Sequence, residues 1–219
     1  MKRDSCWWGL LLGFVMVPTW AQADPAAVPS VSIAPMLTLD SASGEAGTSY
    51  DATTAVGIGF RGNGSLIGLL SRANGGEGIF FRDWWLIELA GGAGGNGLYG
   101  RGFVGVGARL GLASRTSSFF VSPRVFTGAS TVRNPLSAGS GAGRWAWLLG
   151  AGFVSQGFSA EAAYGRGDDT AGDDISVFDL EVSFGSIGTA RMPIFARYQG
   201  NFGTRMTEHN LSAGLLLRY

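Results

Sequence analysis

Apolar and polar residues alternate along most of the chain after residue 30. Between residues 98 and 112, Leu98, Val104 and Leu110 share one parity, whereas Tyr99 and Arg101 share the other. Successive side chains of a β-strand point to opposite faces, so this period of two predicts strands and not helices. The alternation recurs in the segments 30–40, 54–72, 81–90, 98–112, 118–125, 145–153, 158–164, 178–184, 194–201 and 208–219. The pattern predicts an all-β protein.

Each of these segments is apolar on only one side. No apolar run after residue 23 is long enough for a membrane-spanning helix, which needs about 20 residues. One apolar face on every strand is the arrangement expected when strands contact lipid on the outside and enclose a polar lumen. We therefore expect an antiparallel, up-and-down transmembrane β-barrel.

The number of strands depends on how the segment 54–72 is divided. Val56 and Phe60 share a parity with Leu66 and Leu70, which predicts one long strand. The Gly-Asn-Gly triplet at 62–64 predicts instead a hairpin turn between two shorter strands. The first alternative gives ten strands and the second eleven. Single-chain bacterial barrels have an even number of strands, so we expect ten, with eight or twelve as alternatives.

The connections between these strands differ in length. Those at 131–143 and 168–174 read as long, and those at 113–117, 155–157 and 186–190 read as short. Membrane barrels have short turns on the side of their termini and longer loops on the other side. The sequence therefore predicts that long and short connections alternate over the last six strands.

The first 23 residues have the composition of a secretory signal. Lys2 and Arg3 precede an apolar stretch at 7–17, which ends at Pro18, and residues 21–23 read Ala-Gln-Ala. This order of charge, apolar stretch and small residues is typical of a cleaved signal peptide. We expect cleavage before Asp24, leaving residues 24–219 as one domain. That domain contains no cysteine and forms no disulfide.

Residues 208–219 form an amphipathic segment that closes on an aromatic residue. Leu211, Leu215, Leu217 and Tyr219 share one face, and Leu216 is an apolar exception on the polar face. The segment resembles the C-terminal signal that the barrel-assembly machinery reads, with Leu215, Leu217 and Tyr219 as its signal residues. The domain as a whole resembles small outer-membrane β-barrel proteins of the OmpA/OmpX-like type. The resemblance implies a monomer in the bacterial outer membrane, in contact with lipid and lipopolysaccharide.

Composition excludes several other classes of function. The chain has 16 Lys+Arg and 16 Asp+Glu, so it offers no basic field for nucleic acid. Its single histidine, His209, excludes a metal site built from several histidines. The glycine-rich segment 91–97 follows a strand but opens no helix, so it does not predict a dinucleotide site. We expect neither a cofactor nor a structural metal.

Charged residues fall on the polar face of the predicted strands. Charges inside a narrow barrel must be paired or hydrated, because an unpaired buried charge costs several kcal/mol. We expect an ion-pair network that fills the lumen, and the alternative is a selective pore lined by arginine. The predicted network consists of Arg61, Arg82, Glu88, Arg101, Arg109, Arg124, Glu161, Asp179, Glu181 and Arg197.

Aromatic residues recur near the ends of the predicted strands. We expect them to form girdles at the two membrane interfaces. The residues concerned are Trp84, Trp85, Trp145, Trp147, Tyr164, Tyr198 and Tyr219.

One constellation resembles a catalytic site. Glu208, His209 and Ser212 include an acid, a base and a nucleophile, and the lipid A deacylases of the outer membrane carry a similar His-x-Ser arrangement. A spacing of two places both side chains on one strand face, whereas the spacing of three found here places them on opposite faces. We therefore expect no catalytic residues. The acidic run at 168–174 predicts a solvated loop, with weak binding of a divalent cation as the alternative.

These observations leave three candidate functions. The first is a non-enzymatic membrane barrel with a structural or surface-interaction role. The second is a small-solute channel, and the third is a lipid A-modifying enzyme.

Overall fold

The computed structural model describes residues 30–44, 53–65, 68–70, 77–95, 97–114, 116–130, 142–155, 157–170, 172–185, 193–204 and 206–218. The signal segment 1–23 and Tyr219 lie outside these residues. We number the strands β1 (Ser30–Gly44), β2 (Thr53–Ser65, continued by Gly68–Leu70), β3 (Gly78–Gly94), β4 (Gly97–Ala113), β5 (Ser117–Ser130), β6 (Ala142–Ser155), β7 (Phe158–Asp169), β8 (Asp174–Phe184), β9 (Ile194–Gly203) and β10 (Met206–Leu215, continued by Leu217–Arg218).

The described strands close into a ten-stranded antiparallel barrel. Each strand pairs with the next along the chain, and β10 pairs with β1, with Leu39 opposite Leu211. Closure leaves no unpaired sheet edge. The start of β1 and the end of β10 meet at one rim, where Ser32 lies opposite Arg218. We call this end the terminal rim and the opposite end the far rim. The predicted up-and-down barrel of ten strands is confirmed.

The two described parts of β2, Thr53–Ser65 and Gly68–Leu70, both pair with β3. Gly64 lies opposite Trp85 on β3, and Gly68 lies opposite Arg82. Three residues lie between Gly64 and Gly68 and two lie between Trp85 and Arg82, so the register against β3 differs by one residue between the two pairings. The triplet 62–64 is paired within the strand, so the hairpin alternative is wrong.

The two faces of the sheet differ in exposure as the alternation predicts. Leu98 is 66% exposed on the outer face of β4, whereas Phe103 is 1% exposed on its inner face. The apolar exception on β10 also has a physical explanation. Leu216 is buried inside the barrel and packs with Met36 and Phe195.

The predicted alternation of connection lengths is wrong. Asp168 and Asp169 belong to β7, and Asp168 pairs with Asp174, so only residues 170–173 connect β7 to β8 at the far rim. At the terminal rim, the connection 185–193 between β8 and β9 is longer. Asp168, Asp169 and Asp174 therefore belong to the strands, and the segment 168–174 is not a long loop. Gly172, with a φ of 77°, permits the tight turn.

Candidate functional site

Eight charged side chains form a continuous chain inside the barrel, with signs that alternate from one residue to the next. Within it, Arg101 Nη2 lies 2.8 Å from Glu88 Oε1, and Arg197 Nε lies 2.8 Å from Asp179 Oδ1. We call this set the lumen chain. Its order is Asp40, Arg101, Glu88, Arg197, Asp179, Arg124, Glu161 and Arg109. Four arginines and four carboxylates make it neutral as a whole.

The lumen chain crosses the interior instead of following the wall. Glu88 on β3 contacts Arg197 on β9, which is four strands away around the barrel by the shorter route. Arg124 on β5 reaches Asp179 on β8, at 3.5 Å. Seven of the eight residues of the lumen chain are buried, and the eighth, Arg109, is partly exposed. These charged side chains therefore obstruct the lumen.

Hydroxyl groups complete the coordination of the carboxylates. Ser122 donates a hydrogen bond of 2.5 Å to Glu161, and the Tyr99 hydroxyl donates one of 2.6 Å to Asp40. Tyr99 also lies 2.7 Å from the Thr38 hydroxyl. A buried carboxylate is costly unless its oxygens accept hydrogen bonds. Ser122 supplies one from the inner face of β5, and Tyr99 supplies one from the inner face of β4.

The arginines also stack on aromatic rings within the lumen. Arg124 lies 4.9 Å from the centre of the Trp84 ring, and Arg61 lies 4.8 Å from the centre of the Phe195 ring. Such contacts stabilise a guanidinium away from water. Trp84 is buried, so its predicted place in an interfacial girdle is wrong. It lies on the inner face of β3, on the same side as Glu88.

Two further ion pairs lie beside the lumen chain. Arg61 on β2 pairs with Glu181 on β8, and Arg144 on β6 pairs with Glu208 on β10. Each pair joins strands that are four positions apart around the barrel. Nine of the ten residues that the sequence predicts for a lumen network lie in these pairs or in the lumen chain. The tenth, Arg82, is half-buried on the inner face of β3, opposite Arg109 on β4.

Sequence reasoning missed three members of these clusters. Asp40 falls at the boundary of the predicted first strand, although it has the inward parity of Met36 and Thr38. Arg144 falls at the edge of the predicted 131–143 loop. The sequence indicates Glu208 only as a catalytic candidate. Parity would have identified Asp40, whereas the inward position of Arg144 depends on where β6 begins.

The catalytic candidates do not come together. His209 lies on the outer face of β10, where its Nδ1 is 2.7 Å from the Tyr198 hydroxyl. Ser212 lies on the inner face, 3.4 Å from Glu88 Oε1, and Glu208 pairs with Arg144. The base and the nucleophile are therefore on opposite sides of the barrel wall, as their spacing predicts.

The other residues singled out from the sequence are those of the proposed assembly signal and of the acidic run at 168–174. Leu215 is exposed on the outer face of β10, and Leu217 lies opposite Ile33 on β1. Tyr219, the third residue of the proposed assembly signal, lies outside the described residues. At the β7–β8 turn, Asp169 accepts a backbone hydrogen bond of 2.9 Å from Asp173. Within the described ranges, no group of three or more His, Cys, Asp or Glu residues could hold a metal ion.

No helix in the described part of the chain is both long and apolar enough to cross a bilayer. No protein-family model and no curated protein matches the sequence.

Several solved outer-membrane proteins are similar in architecture. The attachment invasion locus protein Ail of Yersinia pestis aligns with a TM-score of 0.36 and 10% identity, over 88% of this chain and 100% of that one. The transport unit of the autotransporter AIDA-I from Escherichia coli aligns with a TM-score of 0.42 and 10% identity, over 90% and 93%. An outer membrane channel from Pseudomonas putida F1 aligns with a TM-score of 0.41 and 10% identity, over 90% and 100%. Similarity at this level carries no argument about activity.

Proposed function

We propose that this chain is an integral protein of the bacterial outer membrane, with a closed lumen and a non-enzymatic role in envelope structure or surface interaction. The observation that carries the proposal is the lumen chain of eight alternating charges. A channel needs a continuous hydrated path through its lumen. These side chains cross the lumen and obstruct such a path.

The outer surface supports the membrane placement. Large apolar side chains are exposed on all ten strands, for example Ile58, which is 71% exposed, and Leu149, which is 58% exposed. Water-soluble monomers rarely expose contiguous apolar patches of more than a few hundred Å². A barrel that is apolar outside and charged inside has the polarity expected for strands surrounded by lipid. Cleavage of residues 1–23 during export is part of the same proposal.

The energetics of the lumen chain favour a closed state. Removing one partner of a buried ion pair typically costs about 3–5 kcal/mol. Opening a path past Glu88 and Arg197 would separate several such contacts together.

The membrane placement also implies two partners. These are lipopolysaccharide on one side of the bilayer and the barrel-assembly machinery during biogenesis. The barrel closes on itself, which is consistent with a monomer.

Two measurements test the proposal. The mature protein should fold only with detergent or lipid, and it should migrate differently on gels before and after heating. A folded, monodisperse protein in detergent-free buffer would overturn the membrane placement. In planar bilayers the protein should show no stepwise conductance.

The double variant Glu88→Ala/Arg197→Ala supplies the comparison for the conductance measurement. It removes the central contact across the lumen, so it should raise the leak current above that of the wild type. Stepwise conductance of the wild type, unchanged in this variant, would show that ions pass by another route and would favour a channel.

A further inference from the structure

Five buried polar side chains lie together in the lumen near the far rim. They are Arg144 on β6, Gln199 and Asn201 on β9, and Glu208 and Asn210 on β10, each 1–5% exposed. In the β9–β10 ladder, Asn201 lies opposite Glu208, and Gln199 lies opposite Asn210. Arg144 reaches Glu208 across the interior. All five are within four residues of the far-rim ends of their strands. We call this set the far-rim cluster.

The lumen chain lies directly below the far-rim cluster. Asn210 is opposite Asp40, where the lumen chain begins. Ser212, two residues further from the far rim than Asn210, lies 3.4 Å from Glu88 Oε1. A solute that enters from the far rim would therefore meet the cluster first and would be stopped by the lumen chain behind it.

Hydrogen bonding in the far-rim cluster is far less complete than in the lumen chain. Arg197 donates from Nε, Nη1 and Nη2 to carboxylates. In the cluster, six atoms have no hydrogen-bond partner among the described residues. These are the donors Arg144 Nε, Arg144 Nη2, Asn201 Nδ2 and Asn210 Nδ2 and the acceptors Glu208 Oε1 and Gln199 Oε1. Buried polar atoms are nearly always hydrogen-bonded, so this concentration indicates a partner from outside the chain.

The surroundings of Arg144 leave one edge of its guanidinium group free. The guanidinium carbon lies 5.2 Å from the centre of the Phe103 ring, and Nη1 pairs with Glu208 Oε2. The unpartnered Nε and Nη2 share the remaining edge. Their two parallel N–H bonds match the two oxygens of a carboxylate. The cluster therefore offers a fork for a carboxylate group.

The acceptors and the charge balance of the cluster indicate the rest of the ligand. Glu208 Oε1 and Gln199 Oε1 need donors, and an ammonium group would give Glu208 a charge-assisted hydrogen bond. Arg144 and Glu208 have opposite charges, so a ligand with a net charge would leave a buried charge uncompensated, which is costly. A ligand with one charge of each sign keeps the sum at zero. It must also be compact, because the side chains around it are almost fully enclosed.

We propose that the far-rim cluster binds a small zwitterion with a carboxylate and a primary ammonium group, as in a free α-amino acid. The carboxylate accepts hydrogen bonds from Arg144 Nε and Nη2 and from the Asn201 and Asn210 amides. The ammonium group donates to Glu208 Oε1 and Gln199 Oε1. The inference rests on the closed lumen proposed above, because the barrel then retains the solute without passing it.

Equilibrium dialysis of the folded protein in detergent tests the inference, with glycine as the probe. Acetate and methylammonium each present one half of glycine, and glycerol presents neutral hydroxyl groups. The wild type should bind glycine at least about tenfold more tightly than any of these three, because each charged end makes its own hydrogen bonds to the cluster. Failure to bind glycine would show that the cluster is hydrated only and would overturn the inference. Equal binding of glycine and any of the three would also overturn it.

The variant Asn201→Leu/Asn210→Leu removes two donors without changing the charge. Glycine binding should weaken by about tenfold. The urea midpoint should stay the same or rise, because apolar groups of similar shape replace buried amides that lack partners. Asn63→Leu, at a half-buried asparagine opposite Ser32 near the terminal rim, is the matched control and should leave glycine binding unchanged. Unchanged glycine binding in the double variant would overturn the inference.

The variant Glu208→Gln should change which ligand the cluster prefers. It leaves Arg144 without its carboxylate partner, so acetate should bind about tenfold more tightly than in the wild type and glycine more weakly. A preference for glycine that survives this substitution would contradict the inference. The heat-dependent gel shift reports whether each variant folds. Stepwise conductance of the wild type would refute the closed lumen alone, whereas dialysis reports on the far-rim cluster, so the two failures are distinguishable.

Discussion

Glu88 on β3 and Arg197 on β9 meet in the middle of the barrel, although 109 residues separate them in the sequence. Glu88 also binds Arg101, and Arg197 also binds Asp179, so the contact joins the two halves of the lumen chain. Substitutions in this pair are therefore the most direct test of the lumen chain.

Glu88→Gln should lower the free energy of unfolding by about 3 kcal/mol, because it leaves a buried excess of positive charge. The loss falls at the lower end of the usual range since Arg101 keeps Asp40 and Arg197 keeps Asp179. Urea-dependent unfolding in detergent micelles, followed by the gel shift, measures the loss. Asp174→Asn, at an exposed carboxylate, should change it by less than about 0.5 kcal/mol. Equal effects of the two substitutions would contradict the burial of Glu88.

Val106→Arg should destabilise the barrel in lipid by about 2–4 kcal/mol, because Val106 lies at the middle of β4 on the outer face. Refolding into lipid vesicles measures the effect. Val106→Leu keeps the surface apolar and should be nearly neutral. If the arginine variant were as stable as the leucine variant, this face of β4 would not contact hydrocarbon.

Gly107→Ser, at the adjacent position on the inner face, should also be destabilising, for a different reason. A Cβ atom at Gly107 would lie 2.4 Å from the Pro123 carbonyl oxygen on β5, which is far inside van der Waals contact. The alternation by itself suggests that a small polar residue is tolerated on the lumen side. Refolding yield and urea midpoint should both fall. A midpoint equal to that of the wild type would show that β4 and β5 are further apart.

His209→Ala and Ser212→Ala should each leave the acylation of lipid A unchanged in cells that produce the protein. The two side chains lie on opposite sides of the wall, so no acyl group can contact both. Mass spectra of lipid A with and without each variant measure this. Loss of acyl chains with the wild type, abolished in either variant, would establish an enzyme.

Deletion of Tyr219 should reduce insertion into the outer membrane of cells while leaving refolding into detergent micelles largely intact. The prediction rests on the resemblance of residues 208–219 to the C-terminal assembly signal, because Tyr219 lies outside the described residues. Burial of one interfacial aromatic contributes at most a few kcal/mol. Fractionation of membranes, with His209→Ala as the control, measures insertion. Normal insertion of the deletion variant would remove the strongest sequence argument for an outer-membrane address.

Local periodicity was enough to predict the strands and the direction of their side chains. Side-chain direction alternates with every residue of a strand, so Leu98 and Phe103 could be placed on opposite faces without knowing their neighbours. The same rule separated His209 from Ser212. The prediction of ten strands follows when the segment 54–72 is one strand.

Only the tertiary structure decided which strand residues meet across the lumen. Arg197 meets Glu88, and Arg144 meets Glu208, only because the barrel closes. These contacts also depend on the stagger between strands that are neither consecutive in the sequence nor neighbours in the sheet. The one-residue change in the register of β2 against β3 and the extension of β7 to Asp169 alter that stagger and leave no periodic signal. Close approach of neighbouring backbones, which excludes a side chain at Gly107, is likewise set by curvature of the closed sheet. Periodicity reports one strand at a time, whereas charge pairing in a closed barrel is a property of all ten together.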